Sequence, residues 1–286
     1  YYKAVTMEYI KSHFAAGIVL FNPDYSFVNR TIAHLSNQVD LIILVDNSAD
    51  SHANELVEQN TSRVIYRPNY KNLGIASALN SIVEIAHDYN KDWVLTLDQD
   101  SDVVDDYLSS LFSSVPESSN IGIVGCRFFD SNTGKIYGSS GYSEWCITSG
   151  SVLRYEAWKS IGGFRTWLFI DNVDNIFCYD LKQNGWLTFV SDGAYLKHSL
   201  GYTTTRSFFG HSFVCMNYSS FRRFYIYRND YFYHHLINDY SCFSFYKKLF
   251  YDFIAIMLFE EDKIQKIVAI FKGVKDGRRQ VCKHLK

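Results

Sequence analysis

The chain has 286 residues, of which 47% are hydrophobic and 17% aromatic, and its formal net charge is −2 at pH 7. This hydrophobic fraction is enough for a substantial core and excludes a globally disordered chain, while the slightly acidic balance argues against a basic nucleic-acid binder. No apolar run approaches the roughly 20 residues that a transmembrane helix needs.

Six scattered cysteines without a Cys-x-x-Cys pair favour reduced thiols and argue against a structural zinc site. The first residues lack the basic and then apolar layout of a signal peptide. We therefore expect a cytoplasmic protein. Because the chain begins at Tyr1 rather than Met, the sequence leaves open what precedes it.

The first half of the chain alternates apolar runs with helical patterns, as a parallel βαβ sheet does. We predict strands over 16–21, 41–45, 63–66 and 93–98, and a helix over 74–87. Each strand is followed by polar residues. Because the carboxyl ends of parallel strands share one edge, where open α/β sheets bind ligands, the sequence predicts a ligand site there.

The second half is less regular. We predict a helix over about 102–112, a strand over 121–126, a helix ending at Asn184-Gly185 and a strand over 186–190. The Gly-, Ser- and Tyr-rich stretch 127–150 fits either a strand pair or a loop. Helices are predicted over 219–234 and 246–259, in a region from Arg222 onward that carries 13 Lys and Arg against 7 Asp and Glu.

Asp98 and Asp100 stand one residue apart at the end of the fourth predicted strand. Two carboxylates there suit a hard divalent cation, Mg²⁺ or Mn²⁺, that also binds a substrate diphosphate. A solvated loop after a core strand explains the isolated motif equally well.

Several segments together resemble the nucleotide-sugar-dependent glycosyltransferases of the GT-A fold, in the rhamnosyltransferase-like branch of family 2. In chain order they are Gly17–Pro23, Val45–Ser48, Asn72–Asn80, Asp98–Asp100, Thr148–Ser151, Phe169–Asp174, His198–Gly201 and Phe221–Asn229. The resemblance covers roughly residues 15–230.

The resemblance implies an α/β GT-A fold with a mostly parallel central sheet flanked by helices, plus a C-terminal helical extension. Residues 1–215 would form the catalytic domain, with a donor-binding part over about 15–125 and an acceptor-side part over about 126–215. Residues 216–286 would form a basic, aromatic helical extension packed on it.

The resemblance also implies the site residues. For donor binding they are Phe21, Asn22, Pro23, Asp46, Asn69, Asn72, Gly74, Ala78, Asp98 and Gln99; for the acceptor side, Ser149 and Gly150; for the metal, Asp98, Asp100 and His198. Three of these residues also have a purely structural explanation. Asp46 could form a turn, Gly74 could belong to the turn that enters a helix, and His198 could be an ordinary surface or core residue.

The resemblance assigns the catalytic base to a carboxylate before the acceptor-side helix, often in an acidic pair. Here the pair is replaced by Asp171-Asn172, so we rank Asp171 first and Asp174 second. The alternative is structural: Asp171 as the helix N-cap and Asp174 as a first-turn acid that favours the helix dipole.

The implied activity is metal-dependent, inverting transfer of L-rhamnose from dTDP-rhamnose to a glycan or lipid-linked oligosaccharide in bacterial O-antigen or capsule synthesis. Alternatives are a UDP-sugar donor, an inert carbohydrate-binding or scaffold protein, and a phosphatase of the haloacid dehalogenase type, although in those phosphatases the Asp-x-Asp strand end generally opens the domain.

The basic, aromatic tail region favours peripheral contact with an anionic membrane at its inner, cytoplasmic face, or equally packing within a helical subdomain.

Overall fold

Four strands form the parallel half of a central sheet in the computed structural model, which describes residues 7–51, 63–117, 120–130, 135–198, 204–208, 211–238 and 243–285. They are β1 (Phe14–Leu20), β2 (Leu41–Asp46), β3 (Arg63–Pro68) and β4 (Trp93–Asp98). Every residue of β1 and β2 is buried. Both strands therefore read as continuous apolar runs, as strands covered on both faces do.

Five further strands complete the sheet: β5 (Ile121–Asp130), β6 (Lys135–Tyr137), β7 (Gly141–Ser143), β8 (Ser151–Arg154) and β9 (Leu187–His198). The order is β3-β2-β1-β4-β8-β5-β9-β7, with β6 paired to β5. β8 runs antiparallel to β4 and β5, whereas β5 and β9 are parallel. The predicted α/β fold with a mostly parallel sheet is confirmed.

Helices flank this sheet. They are α1 (Met7–His13), α2 (Tyr25–Ser36), α3 (Ile75–Asp88), α4 (Tyr107–Phe112), α5 (Tyr155–Ser160) and α6 (Val173–Gln183), with a 3₁₀ turn at Thr166–Leu168. α3 buries Leu79, Ile82 and Ala86, the stripe that its helical periodicity predicts. α2 contributes Val28, Ile32 and Leu35 to the main core.

The chain divides into two compact units. The first comprises Tyr1–Phe169 and Val173–Ser199, and the second comprises Ile170–Asn172 and Leu200–Lys286. The second unit contains the antiparallel strands β10 (Thr204–Phe208) and β11 (His211–Cys215). It also contains helices α7 (Ser220–Leu236), α8 (Phe243–Phe259) and α9 (Lys263–His284).

The core of the second unit joins its three helices. Ile226 and Tyr227 of α7 pack with Phe245 and Ile256 of α8 and Ile270 of α9. A buried ion-pair network lies beside this core: Arg223 bonds Asp252 and Glu260 at 2.8 Å each, and Lys266 bonds Glu260 at 3.0 Å. Burying a charged side chain is costly unless it is paired, and each charge of this network has a partner of opposite sign.

Several element boundaries differ from the sequence prediction. Helix α4 begins at Tyr107 rather than near residue 102, and β5 and β9 run on to Asp130 and His198, four and eight residues beyond the predicted ends. The ambiguous stretch 127–150 contains short strands. Strands β10 and β11 and helix α9 were not predicted. Among the described residues, no helix combines the length and apolar character needed to cross a membrane.

Candidate functional site

The carboxyl ends of the four parallel strands meet at one edge of the sheet. Register pairs Leu20 with Asp46, Val19 with Asp98, and Asp46 with Pro68. The polar residues after β1, β2, β3 and β4 therefore lie side by side, and the predicted shared edge is present in the first unit.

The turn after β2 is organised by Asp46. Its side chain is fully buried, and its two carboxylate oxygens accept from the Ser48 amide at 2.8 Å and from the Tyr66 hydroxyl at 2.6 Å. The Ser48 hydroxyl in turn accepts from the Asn22 amide at 2.7 Å. Asp46 thus holds the turn in place and ties it to the end of β1.

Asn47 connects three polar segments of this edge, although it was not among the predicted site residues. Its side-chain nitrogen, Nδ2, donates to the Gly74 carbonyl at 3.2 Å. Its side-chain oxygen, Oδ1, accepts from the Asn69 side chain at 2.9 Å and from the Leu73 backbone amide at 3.4 Å. The side chain is 3% exposed. Its position directly after Asp46 was the sequence signal that could have identified it.

The turn before α3 is held by side-chain and backbone contacts. The Asn72 side chain accepts from the Gly74 amide at 2.9 Å, and the Ile75 amide donates to the Phe169 carbonyl at 2.7 Å. Gly74 has φ 83°, and a Cβ on it would lie 2.6 Å from the Phe169 carbonyl oxygen. Only glycine fits both the conformation and the space.

The middle residue of the Asp98-Gln99-Asp100 segment has a specific contact. The Phe21 amide donates to Gln99 Oε1 at 2.7 Å, and Gln99 Nε2 donates to the Phe21 carbonyl at 3.2 Å. Gln99 therefore joins the end of β1 to the residues that follow β4.

Two hydroxyls support the same segment from the buried side. Ser149 Oγ accepts from the Asp98 amide at 3.0 Å and contacts Ser101 Oγ at 2.7 Å. The Gly150 amide donates to the Thr96 carbonyl at 2.8 Å. Both Ser149 and Gly150 are buried, and the Gly150 carbonyl also accepts from the Tyr107 hydroxyl at 2.6 Å. These two predicted acceptor-side residues therefore contact β4, the residues after it and α4.

The carboxylates at the end of β4 fit a divalent cation by their chemistry. Asp98 is partly exposed and Asp100 exposed, and carboxylate oxygens are the ligands of Mg²⁺ and Mn²⁺. Within the described part of the chain, no three His, Cys, Asp or Glu side chains converge on a common point. The backbone of His198 ends β9, but its side chain lies outside the described residues. A site with two protein carboxylates leaves positions for diphosphate oxygens.

Two other predicted donor residues are buried: Pro23, in the turn after β1, and Ala78, whose side chain on α3 is fully buried. Asn22 is exposed and has φ 47°.

Asp171, the first candidate for the base, belongs to the second unit. Its carboxylate oxygens accept from Arg222 at 3.1 and 3.4 Å. The segment has left-handed backbone angles, with φ 64° at Asp171 and φ 57° at Asn172. Non-glycine residues persist in this region only where neighbouring contacts hold them.

Asn229 supplies such contacts. Its fully buried side chain donates to the carbonyls of Ile170 and Asp171 at 2.8 Å each. Asn172 donates to Asp230, which also pairs with Lys248. Asn229 and Asp230 were not predicted as site residues; the resemblance of the segment Phe221–Asn229 was the signal for the first of them.

A cavity of about 450 Å³ opens beside these groups within the second unit. Its lining combines acidic, basic and apolar side chains: Asp171, Asn172, Val214, Met216, Tyr218, Arg223, Ile226, Asp230, Lys248 and Asp252. Burial raises the pKa of Asp171 above its ordinary value, while the Arg222 guanidinium opposes the shift. A carboxylate with a raised pKa beside a cavity is suited to accept a proton.

Asp174, the second candidate, lies in the first turn of α6 and accepts from the Thr148 amide at 3.0 Å. This contact ties the helix start to the segment preceding β8. α6 begins at Val173, so Asn172 rather than Asp171 directly precedes it. The carboxylate of Asp171 is paired with Arg222.

Comparison with known proteins gives a match over more than half of the chain. The family model described as Glycosyl transferase family 2 matches residues 16–177. A curated relative, dTDP-rhamnosyl transferase RfbF of Shigella flexneri, is 24% identical over 212 residues, which are 67% of this chain and 71% of the relative.

Two solved structures share the fold at low identity. TarS 1–349 of S. aureus in complex with UDP-GlcNAc has a TM-score of 0.57 at 14% identity, covering 94% of this chain and 82% of that one. The mannosyltransferase PcManGT of Pyrobaculum calidifontis, in complex with GDP-Man and Mn²⁺, has a TM-score of 0.52 at 10% identity, covering 96% and 75%. Against the longer S. aureus TarS chain, the match covers 36% of that chain.

Proposed function

The chain belongs to glycosyl transferase family 2, and from this premise we propose that it transfers L-rhamnose from dTDP-rhamnose with inversion at the anomeric carbon. The donor assignment is supported by the similarity to a dTDP-rhamnosyl transferase. The acceptor is a hydroxyl of a glycan or lipid-linked oligosaccharide in the synthesis of a bacterial surface polysaccharide such as O-antigen or capsule.

The observation that carries this proposal is the strand register, which places the carboxyl ends of β1, β2, β3 and β4 side by side. Register sets Asp46 beside Leu20 and Asp98 beside Val19, and Asn47 and Gln99 join the intervening turns. Polar groups from four strand ends thus meet at the edge where open α/β sheets bind nucleotides. The nucleoside diphosphate of the donor binds along this edge.

Asp98 and Asp100 would hold a divalent cation, Mg²⁺ or Mn²⁺, which would supply Lewis-acid neutralisation of the charge on the leaving diphosphate. Gln99 and Ser149 orient this segment through Phe21 and the Asp98 amide. His198 is the further candidate ligand.

The reaction is a direct displacement. The acceptor oxygen forms a bond to the anomeric carbon, the bond from that carbon to the diphosphate oxygen breaks, and the electron pair leaves with the nucleoside diphosphate. The proton of the acceptor hydroxyl passes to a carboxylate, which we assign to Asp171. Its raised pKa and its place in the wall of a cavity support that assignment; a positioned base contributes about 10² to 10⁴ in rate.

The protein works in the cytoplasm at the inner face of the membrane, where a lipid-linked acceptor lies. The surplus of basic residues from Arg222 onward supports this location, because anionic lipids attract such segments.

A UDP-sugar donor is the second candidate, since TarS 1–349 was solved with UDP-GlcNAc. The decisive experiment is a donor panel. Wild-type protein and Asp98→Ala are each tested for metal-dependent binding and slow hydrolysis of dTDP-rhamnose and of UDP- and GDP-sugars. We expect dTDP-rhamnose to give the strongest metal-dependent signal, absent in Asp98→Ala. A preference for a UDP-sugar would replace the donor, and no binding of any nucleotide sugar would leave an inert carbohydrate-binding protein.

A further inference from the structure

Helix α8 is apolar on two faces. Phe245 and Ile256 point into the core of the second unit with Tyr227 and Ile270. The second face, which we call the outer face of α8, consists of Phe243, Tyr246, Phe250, Phe253 and Met257, spaced three and four residues apart.

The outer face of α8 is open to solvent in the isolated chain. Phe243 is 72% exposed, Phe250 63% and Met257 45%. A contiguous row of exposed aromatic side chains of this length marks an interaction surface.

Helix α9 also exposes apolar side chains, and it adds positive charge. Its first half exposes Ile264 (79%), Val268 and Phe271 (62%). Its second half exposes five basic residues: Lys272, Lys275, Arg278, Arg279 and Lys283. Four of these, Lys275, Arg278, Arg279 and Lys283, line a shallow depression of about 580 Å³ together with Cys282.

The acids of these helices do not offset that charge on the surface. Glu260 is buried with Arg223 and Lys266, and Asp252 pairs with Arg223. Residues 243–285 expose eight Lys and Arg, of which Lys248 pairs with Asp230, against two exposed acids, Glu261 and Asp262. Arg223 and Lys266 are buried with Glu260, and most of the charge that remains exposed on these two helices is basic.

We propose that the outer face of α8, with the exposed side of α9, is a docking surface for an anionic phospholipid bilayer. The aromatic side chains enter the boundary between headgroups and acyl chains, and the basic side chains of α9 bind lipid phosphates. Charge complementarity selects lipid over a second copy of this chain, because two copies would bring like charges together. The inference rests on the proposed work at a membrane and names the residues that make the contact.

The test is co-sedimentation of the whole chain with vesicles of phosphatidylglycerol mixed with phosphatidylcholine, compared with pure phosphatidylcholine, at low and high salt. We expect binding to the anionic vesicles that weakens with salt. The variant Phe250→Ser with Phe253→Ser and the variant Arg278→Glu with Arg279→Glu should each lower the partition coefficient about tenfold or more.

A matched control removes two equally exposed apolar side chains from the first unit, Val104 (60%) and Ile136 (51%). The variant Val104→Ser with Ile136→Ser should bind vesicles as the wild type does. Wild-type binding by the Phe250 and Phe253 variant would overturn the proposal. So would concentration-dependent self-association in ultracentrifugation that this variant abolishes.

Hydrolysis of the nucleotide sugar, measured in parallel without vesicles, should be unchanged in all three variants, because none of the substituted residues is assigned to the proposed donor site. Failure of vesicle binding with intact hydrolysis would reject the docking surface alone. Absent hydrolysis in the wild type would reject the proposed function instead.

Discussion

The side chain of Gln99 pairs with the main chain of Phe21, accepting from its amide at 2.7 Å and donating to its carbonyl at 3.2 Å. Such two-point pairing ordinarily joins neighbouring strands, but here a side chain makes it between segments that follow β1 and β4. It fixes the direction in which the chain leaves β4, and with it the segment that carries Asp98 and Asp100.

Replacing Gln99 by alanine should weaken donor binding without touching a proposed metal ligand. We expect about a tenfold loss of affinity in the presence of Mn²⁺, measured by calorimetry, and a fall of about 1 kcal/mol in the free energy of unfolding. Gln99→Glu still accepts from the Phe21 amide but cannot donate to its carbonyl. Its donor affinity should therefore lie between that of the wild type and that of Gln99→Ala. Wild-type affinity in Gln99→Ala would show that this pairing does not position the site.

Removing either carboxylate should abolish the effect of metal on donor binding. For Asp100→Ala and Asp98→Ala we expect donor affinity that no longer rises when Mg²⁺ or Mn²⁺ is added, because the diphosphate and the protein no longer share the cation. Asp88→Ala is the matched control, since it removes an exposed acid from the C-terminal end of α3, the end away from Gly74. A metal response retained in Asp100→Ala would leave Asp98 as the main ligand.

Asp171→Asn should separate binding from transfer. The amide cannot accept the acceptor proton, so we expect donor affinity within about twofold of wild type and transfer reduced about 10² to 10⁴ fold. Asp174→Asn serves as the comparison, because its carboxylate holds the Thr148 amide. If Asp174→Asn loses transfer and Asp171→Asn does not, the base is Asp174.

The pH dependence of transfer should report on Asp171. Burial raises its pKa and Arg222 opposes that rise, so activity should fall as pH drops through the raised pKa, where the base becomes protonated. Arg222→Gln removes the opposing charge and should move this acidic limb to higher pH. A limb that moves to lower pH would contradict the assignment of Asp171.

The same shift affects stability with the opposite sense from an acid whose pKa is lowered on folding. Because the pKa of Asp171 is higher in the folded than in the unfolded state, the folded protein binds more protons between the ordinary and the raised value. Stability therefore falls as pH rises through that window. Asp171→Asn should lack this component in urea unfolding measured across the window.

Gly74→Ala should damage both the fold and the proposed donor site. The new Cβ would meet the Phe169 carbonyl oxygen at 2.6 Å, and φ 83° is unfavourable for alanine. We expect a loss of about 1 to 3 kcal/mol in the free energy of unfolding and weaker donor binding. Gly162→Ala has a similar φ of 76° with nothing within 4 Å, so the difference between the two variants measures the steric part. Equal losses in both would show that backbone strain alone matters.

Local sequence patterns predicted much of the architecture. The apolar runs of β1, β2 and β4, each bounded by polar residues, predicted the parallel strands, and the spacing of Leu79, Ile82 and Ala86 predicted the buried face of α3. Helix α9 escaped prediction because Gly273 and Gly277 lie inside it, and glycine disfavours a helix interior by about 1 kcal/mol. A Cβ on Gly273 would meet the Phe224 carbonyl oxygen at 2.4 Å; close packing against α7 explains both glycines, and that packing is tertiary.

The sequence by itself determined that this is an α/β protein whose polar strand ends include Asp46 and Asp98, because hydrophobic periodicity and strand termini are encoded by neighbouring residues. Only the tertiary structure decided that Gln99 pairs with Phe21 and that Asp171 pairs with Arg222. These partners are 78 and 51 residues apart. Such contacts depend on strand register and helix packing, which arise from the summed burial of many distant side chains and leave no mark in any local pattern.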